Sequence, residues 1–70
     1  MTQVRWKVGV TQQTMYGPGQ RHGYGFLIQN AHGAPLLSIT YATKEESERA
    51  EAVVRSAIAN AVDIMGYAGS

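Results

Sequence analysis

The sequence contains no cysteine, and this absence excludes several classes of chemistry. Disulfide bonds, thiolate-bound metals and thiol catalysis all require a sulfhydryl group. The lack of disulfides fits a reducing compartment, so we expect a cytoplasmic protein. No apolar run approaches the roughly 20 residues that a membrane helix needs. Because Arg5 and Lys7 interrupt the first apolar segment, we also expect no secretory signal.

Acidic residues are missing from the first part of the chain. Residues 1–43 hold three basic residues and no Asp or Glu, whereas residues 44–70 hold three basic and five acidic residues. Acids near the start of a helix interact favourably with its dipole, which explains part of this asymmetry. The alternative is a basic face that receives an anionic partner. With a net charge of only +1, the sequence leaves both explanations open.

The most regular pattern is a period of 3.6 in the apolar residues of segment 44–65, which predicts one amphipathic helix. Thr43 and Glu46 match a capping box at its start, and Gly66 stands where a glycine would end it. The predicted apolar stripe consists of Ala50, Val53, Val54, Ala57, Ile58, Ala61, Val62 and Met65.

Three segments, at about residues 4–10, 24–30 and 36–42, alternate apolar and polar residues and are predicted strands. Residues 31–34 predict a short hairpin loop, whereas residues 11–23 are so polar and glycine-rich that they predict a long loop. The side chains expected to face the helix are Val4, Trp6, Val8, Val10, Tyr24, Phe26, Ile28, Leu37, Ile39 and Tyr41.

These elements predict a single α+β domain over residues 1–70, a three-stranded antiparallel meander packed on one C-terminal helix (βββα). Much of the helix stripe is alanine or valine, so the core of one chain is small and we expect a homodimer. Three dimer surfaces stay open: a sheet edge, the back of the helix and the outer sheet face. The helix back carries Ala52, Ser56 and Ala59, and the outer face carries Leu27 and Leu36.

Segment 26–46 resembles the ββα unit of the YegP-type family of small bacterial proteins. The matching positions are Phe26, Ile28, Gly33, Leu36, Leu37, Tyr41, Thr43 and Lys44. The chain departs from that pattern at His32, in having one residue fewer before Tyr41, and in its predicted long loop. The resemblance implies the ββα fold and no activity. The βββα order also resembles that of a family of plant DNA-binding domains.

No motif for catalysis stands out. His22 and His32 are the only histidines, the acids are confined to the predicted helix region, and Ser38 lacks the G-x-S-x-G context of a nucleophile. The glycine-rich segment has no G-K-[ST] phosphate-loop pattern. We therefore expect no enzyme, no metal site and no cofactor.

Binding residues are expected in two places. Tyr16, Arg21, His22 and Tyr24 lie in or beside the predicted long loop, and Arg5 and Lys7 lie on the first predicted strand. The first hypothesis is a non-enzymatic protein-interaction module, such as a bacterial or phage accessory or inhibitor protein that binds a larger partner. The alternative is a nucleic-acid-binding βββα domain that uses the basic outer sheet face and the loop.

Overall fold

The computed structural model describes residues 2–68. In this part of the chain one helix is combined with antiparallel strands, which confirms the predicted α+β class. The elements are β1 (Thr2–Gln3), β2 (Lys7–Val8), β3 (Gln12–Tyr16), β4 (Arg21–Gln29), β5 (Pro35–Tyr41), α1 (Lys44–Ala59) and β6 (Val62–Asp63). These are more than three strands, so the fold is not the simple three-stranded meander that the sequence predicts.

β4 is the centre of the main sheet. β5 pairs along one side of it, while β2 and β3 pair one after the other along the opposite side, all antiparallel. The predicted first strand, 4–10, is therefore reduced to the two residues of β2. β1 and β6 form a separate two-stranded ribbon next to the end of the helix.

A β-bulge divides β2 from β3. Val8 pairs with Ile28 and Gln12 pairs with Gly25, so one extra residue is present between them. A bulge reverses the alternation of side chains beyond it. Val10, predicted to face the helix, is instead exposed, and Thr11 contacts the helix.

The prediction of a long loop at residues 11–23 is wrong. These residues form most of a hairpin, in which β3 is joined to β4 by a tight turn at residues 17–20. Gly17 takes a φ of 77°, and the N–H of Gln20 donates to the carbonyl of Gly17 at 3.1 Å. The prediction failed because glutamine, threonine and glycine in the two arms hide the apolar alternation that normally marks a strand.

The helix begins at Lys44 as predicted, and Thr43 is its N-cap. The Thr43 hydroxyl accepts from the Glu46 N–H at 3.3 Å and donates to the Glu46 carboxylate at 2.8 Å. The helix ends at Ala59 rather than at residue 65, because Gln3 binds the Ala59 carbonyl at 2.8 Å and the chain then pairs with β1. The predicted terminating glycine, Gly66, lies in a later turn.

The core of the described residues is small. Phe26 and Ile28 are its buried apolar side chains, and Ser47 of the helix is also buried. The radius of gyration is 13.5 Å, against about 11 Å for a compact chain of this length. Several residues that were predicted to lie inside are exposed: Trp6, Val10, Leu37, Val53, Ala57, Val62 and Met65. No helix within residues 2–68 is long and apolar enough to cross a membrane.

Candidate interaction surfaces

The β3–β4 hairpin brings four of the predicted binding residues together but divides them between two faces. Tyr16 stands opposite Arg21, and His22 opposite Met15. Because directly opposed residues share a face and neighbours alternate, Tyr16 and Arg21 lie on the face turned away from the helix, which we call the open face. His22 and Tyr24 lie on the helix side.

Local packing fixes the orientation of two of these side chains. The Tyr16 ring covers Gly23, so closely that a Cβ atom on Gly23 would be 2.5 Å from the ring. His22 Nδ1 is 3.0 Å from Gln13 Nε2, which stands opposite Tyr24 on the same face. The hairpin is therefore an ordered arm of the sheet.

Arg5 and Lys7 are not close to the other predicted binding residues. Lys7 pairs with Gln29, at the opposite end of β4 from Arg21. Eight residues of extended strand separate these two ends, which is about 27 Å. Arg5 is exposed in the segment before β2. Lys7 and Arg21 thus mark the two ends of the open face.

Between those ends the open face forms a shallow trough of about 320 Å³. Gly25 lies at its floor. A larger residue does not fit there, because a Cβ atom would collide with the Ile39 carbonyl oxygen. The other side chains along it are uncharged. They include Gln12, Thr14, Leu27, Gln29, Ser38 and Thr40. The trough offers amide and hydroxyl groups for hydrogen bonding, with a basic residue near each end.

A second depression lies between α1 and β5, and we call it the apolar groove. It has a volume of about 400 Å³ and is lined by Tyr41, Ala50, Val53 and Val54, with Glu46 and Arg49 at its rim. Val53 is 66% exposed there, and Leu37 of β5 is 54% exposed. The helix therefore leaves one side of its own apolar stripe uncovered.

A polar network holds the opposite side of the helix against the bulge. Glu51 Oε1 accepts from the Thr11 N–H at 2.6 Å and from the Thr11 hydroxyl at 2.9 Å, while Glu51 Oε2 accepts from Arg55 Nε at 2.8 Å. The hydroxyl oxygens of Ser47 and Thr11 are 3.0 Å apart. The Arg55 hydrogen bond first, and the Thr11 hydroxyl second, lower the pKa of Glu51.

The residues after the helix form an ordered turn at positions 63–68, the C-terminal turn. The Asp63 carboxylate accepts from the N–H groups of Met65 at 3.0 Å, Gly66 at 2.9 Å and Ala68. Three large apolar side chains nevertheless point into solvent: Ile64 is 71% exposed, Met65 68% and Tyr67 82%. A fixed backbone thus displays an apolar cluster.

The sequence did not identify the C-terminal turn or the apolar groove as binding surfaces. The first part of the turn was assigned to the predicted helix and Gly66 to its end, although an Asp followed three residues later by Gly is typical of a turn. The groove was missed because apolar periodicity alone does not show which part of a stripe meets the sheet. Within residues 2–68, no group of three or more His, Asp or Glu side chains is placed to hold a metal ion.

Comparisons with protein-family models, with curated proteins and with solved structures found no match to this chain. The resemblance of residues 26–46 to the YegP-type family therefore stays a prediction.

Proposed function

We propose that this chain is a cytoplasmic, non-enzymatic protein-interaction module that acts by binding a larger protein. The observation that carries the proposal is the distribution of large apolar side chains in the described residues. Eleven of them are exposed, whereas the buried apolar core consists of Phe26 and Ile28. Exposed apolar clusters on a small protein are typical of contact surfaces.

The C-terminal turn is the best contact for such a partner. Protein interfaces gain most of their free energy from a few large side chains near the centre of the contact. Ile64, Met65 and Tyr67 supply such side chains, and the bonds to Asp63 hold their backbone in place before binding. Less conformational entropy is then lost on association.

The test compares two apolar surfaces of similar exposure. One variant carries Ile64→Ser and Met65→Ser in the turn, and the matched control carries Met15→Ser on the hairpin. Each immobilised protein is incubated with extract of the source cell, and captured proteins are quantified by mass spectrometry. We expect wild type and the Met15 control to retain the same partner and the turn variant to lose it.

The captured protein is then purified and titrated with the chain in a calorimeter. Burial of the apolar turn should give a negative heat-capacity change when the wild-type chain binds. The turn variant should not show this heat-capacity change. The proposal fails if wild type enriches no protein above the blank matrix. If wild type and the turn variant bind the partner equally well, the C-terminal turn is not part of the contact.

Nucleic-acid binding is a second candidate, favoured by the charge distribution on the sheet. Lys7 and Arg21 lie on the open face with uncharged hydrogen-bonding groups between them, and all five acids belong to residues 45–63. The predicted contact at Arg5 would extend this surface, whereas His22, on the helix side of the sheet, would not contribute to it. Phosphate contacts are strongest at low salt, so absence of gel retardation there would exclude this function.

A double variant, Lys7→Gln with Arg21→Gln, tests which surface any retardation uses. Its control is Lys44→Gln with Arg49→Gln, which removes two positive charges from the helix instead. If the open face binds single-stranded nucleic acid, the first variant lowers the slope of log affinity against log salt by about 1.4, or 0.7 for each lost contact. The control should leave that slope unchanged.

A further inference from the structure

The helix is rotated about its axis so that only part of its apolar stripe contacts the sheet. Its buried and partly buried positions are Ser47, Ala50, Glu51, Val54 and Ile58. Successive residues of a helix are turned by about 100°, so the centre of the apolar stripe lies roughly 50° from the centre of this contact. The uncovered side, which we call the free flank, carries Val53 and Ala57.

The free flank lies beside an unprotected sheet edge. Among residues 2–68, β5 pairs with β4 and with no other strand. Edge strands of soluble proteins normally carry charges, bulges or prolines that prevent further pairing. β5 has no charge in its seven residues, and its one proline, Pro35, and its one bulge, at Leu36, both lie at its first end. The edge from residue 37 to residue 41 has none of these protections. An open backbone edge and an open apolar groove thus adjoin each other.

The accessible surface of the chain indicates how much area remains to be covered. It is 5066 Å² for a mass of 7.6 kDa, whereas a compact monomer of this mass exposes about 4300 Å². The excess of about 770 Å² is close to the roughly 800 Å² that each partner buries in a stable protein interface.

We infer that a second copy of this chain covers β5 and the free flank. β5 pairs antiparallel with β5 of the copy about a twofold axis at Ser38, which places Leu37 opposite Ile39 of the copy. The bulged Leu36 and Pro35, which lacks an N–H, then fall at the end of the ladder. The strand is thus complementary to itself in the way that a twofold interface requires.

This arrangement covers both open features at once. Antiparallel extension of a sheet keeps each face continuous, so the two helices lie side by side on the same face with their free flanks toward each other. Two helices above their own β4 strands would be three strand spacings, about 14 Å, apart. Leu37 and Val53 of both copies lie in the gap, which explains their exposure in the single chain.

Paired lysine substitutions test the interface. Val53→Lys and Leu37→Lys place a charge in the contact, whereas Ala52→Lys and Gln12→Lys place it on the back of the helix and on the open face at β3, away from the copy. We expect sedimentation equilibrium to show a dimer for wild type and both controls. The two contact variants should raise the dissociation constant at least about 100-fold, because each buries an unpaired charge. Circular dichroism confirms that each variant is folded.

Because the sequence has no cysteine, single cysteines can report the register. Ser38→Cys should form a disulfide-linked dimer on mild oxidation, since residue 38 meets its own copy at the axis. Gln12→Cys lies on the same face but on the distant β3, and should stay monomeric on a denaturing gel.

Three results would overturn the inference. These are a monomeric wild type at up to millimolar concentration, an Ala52→Lys variant as disruptive as Val53→Lys, or equal cross-linking of the two cysteine variants. The inference does not depend on the proposed function, because it concerns a surface other than the C-terminal turn. If the protein captures a partner but is monomeric in solution, the dimer inference is wrong and the proposed function is still supported.

Discussion

Glu51 is a polar residue of the helix whose replacement should lower the free energy of unfolding. Its carboxylate receives three hydrogen bonds, two from Thr11 in the bulge and one from Arg55. The Thr11 N–H is displaced from the regular ladder by the bulge, so Glu51 is its acceptor in the structure. Glu51→Ala therefore tests how the helix is fixed to the sheet.

The expected loss follows from the bonds that are broken. Leaving a partly buried donor such as the Thr11 N–H without an acceptor costs about 1–3 kcal/mol. The pair with Arg55 adds at most about 0.5 kcal/mol, because the Arg55 side chain is well exposed. Glu51→Ala should thus lower the free energy of unfolding by about 1–3.5 kcal/mol, out of roughly 4–10 kcal/mol for a chain of this size. The melting temperature should fall by about 4–8 °C for each kcal/mol lost.

Glu48→Ala is the matched control. Glu48 lies on the same helix and is also a glutamate, but its side chain is mostly exposed and reaches only Lys44 at 3.9 Å. Removal of an exposed ion pair typically costs less than about 0.5 kcal/mol. Both variants are unfolded with urea at one fixed protein concentration, since the proposed dimerisation would make the apparent stability concentration-dependent. Equal losses for the two variants would refute the anchoring role of Glu51.

The pH dependence gives a second check on the same residue. The folded structure lowers the pKa of Glu51 below 4.5, chiefly through Arg55 and then Thr11. A lowered folded pKa means that the stabilisation is complete above the unfolded pKa and is lost as the pH falls through the folded pKa. Below about pH 4.5, wild type should therefore lose more stability than Glu51→Gln, whose side chain does not ionise. Parallel curves for the two proteins would contradict this.

Three further substitutions test other parts of the fold. Gly25→Ala should destabilise the sheet by about 1–3 kcal/mol, because its Cβ would collide with the strand β5 backbone, whereas Gly19→Ala, with open space around it, should change the unfolding free energy little. Thr43→Ala should cost about 1 kcal/mol in urea unfolding through loss of the N-cap, and Thr43→Ser should restore most of it. Asp63→Ala should speed amide exchange in the C-terminal turn by about 10- to 100-fold; unchanged rates would show that other contacts order the turn.

The parts of the fold that could be predicted from sequence are those where one local signal dominates. The start of the helix was located because Thr43 and Glu46 form a cap whose geometry depends only on neighbouring residues. The strands around Phe26 and Ile39 were located because their alternation is strong and both pair across β4 and β5. Such signals do not depend on distant parts of the chain.

The parts that could not be predicted depend on contacts between distant residues. The helix end is fixed by two contacts: the C-cap Asn60, whose side chain donates to the Ser56 carbonyl at 2.9 Å, and Gln3, which lies 56 positions away from its acceptor. A single asparagine inside a continuing apolar pattern is a weak local signal, and the contact with Gln3 has no local signal. The bulge at Thr11 is stabilised by Glu51, 40 positions away. Three of the predicted binding residues, Tyr16, Arg21 and His22, were placed in a loop for the same reason. The pairing that makes their segment a hairpin is not encoded by apolar alternation.

The sequence predicted that the apolar stripe of the helix faces the sheet, and the structure shows that part of this stripe is exposed instead. An apolar stripe that only served the core would be turned squarely onto the sheet, as the periodicity predicts. Instead Ser47 and Glu51, two polar residues, occupy the contact and bind Thr11. Their hydrogen bonds hold the helix in a rotation that leaves Val53 and Ala57 outside. The polar anchor and the exposed flank are therefore two consequences of one arrangement, and loss of the anchor should weaken the proposed dimer contact as well as the fold.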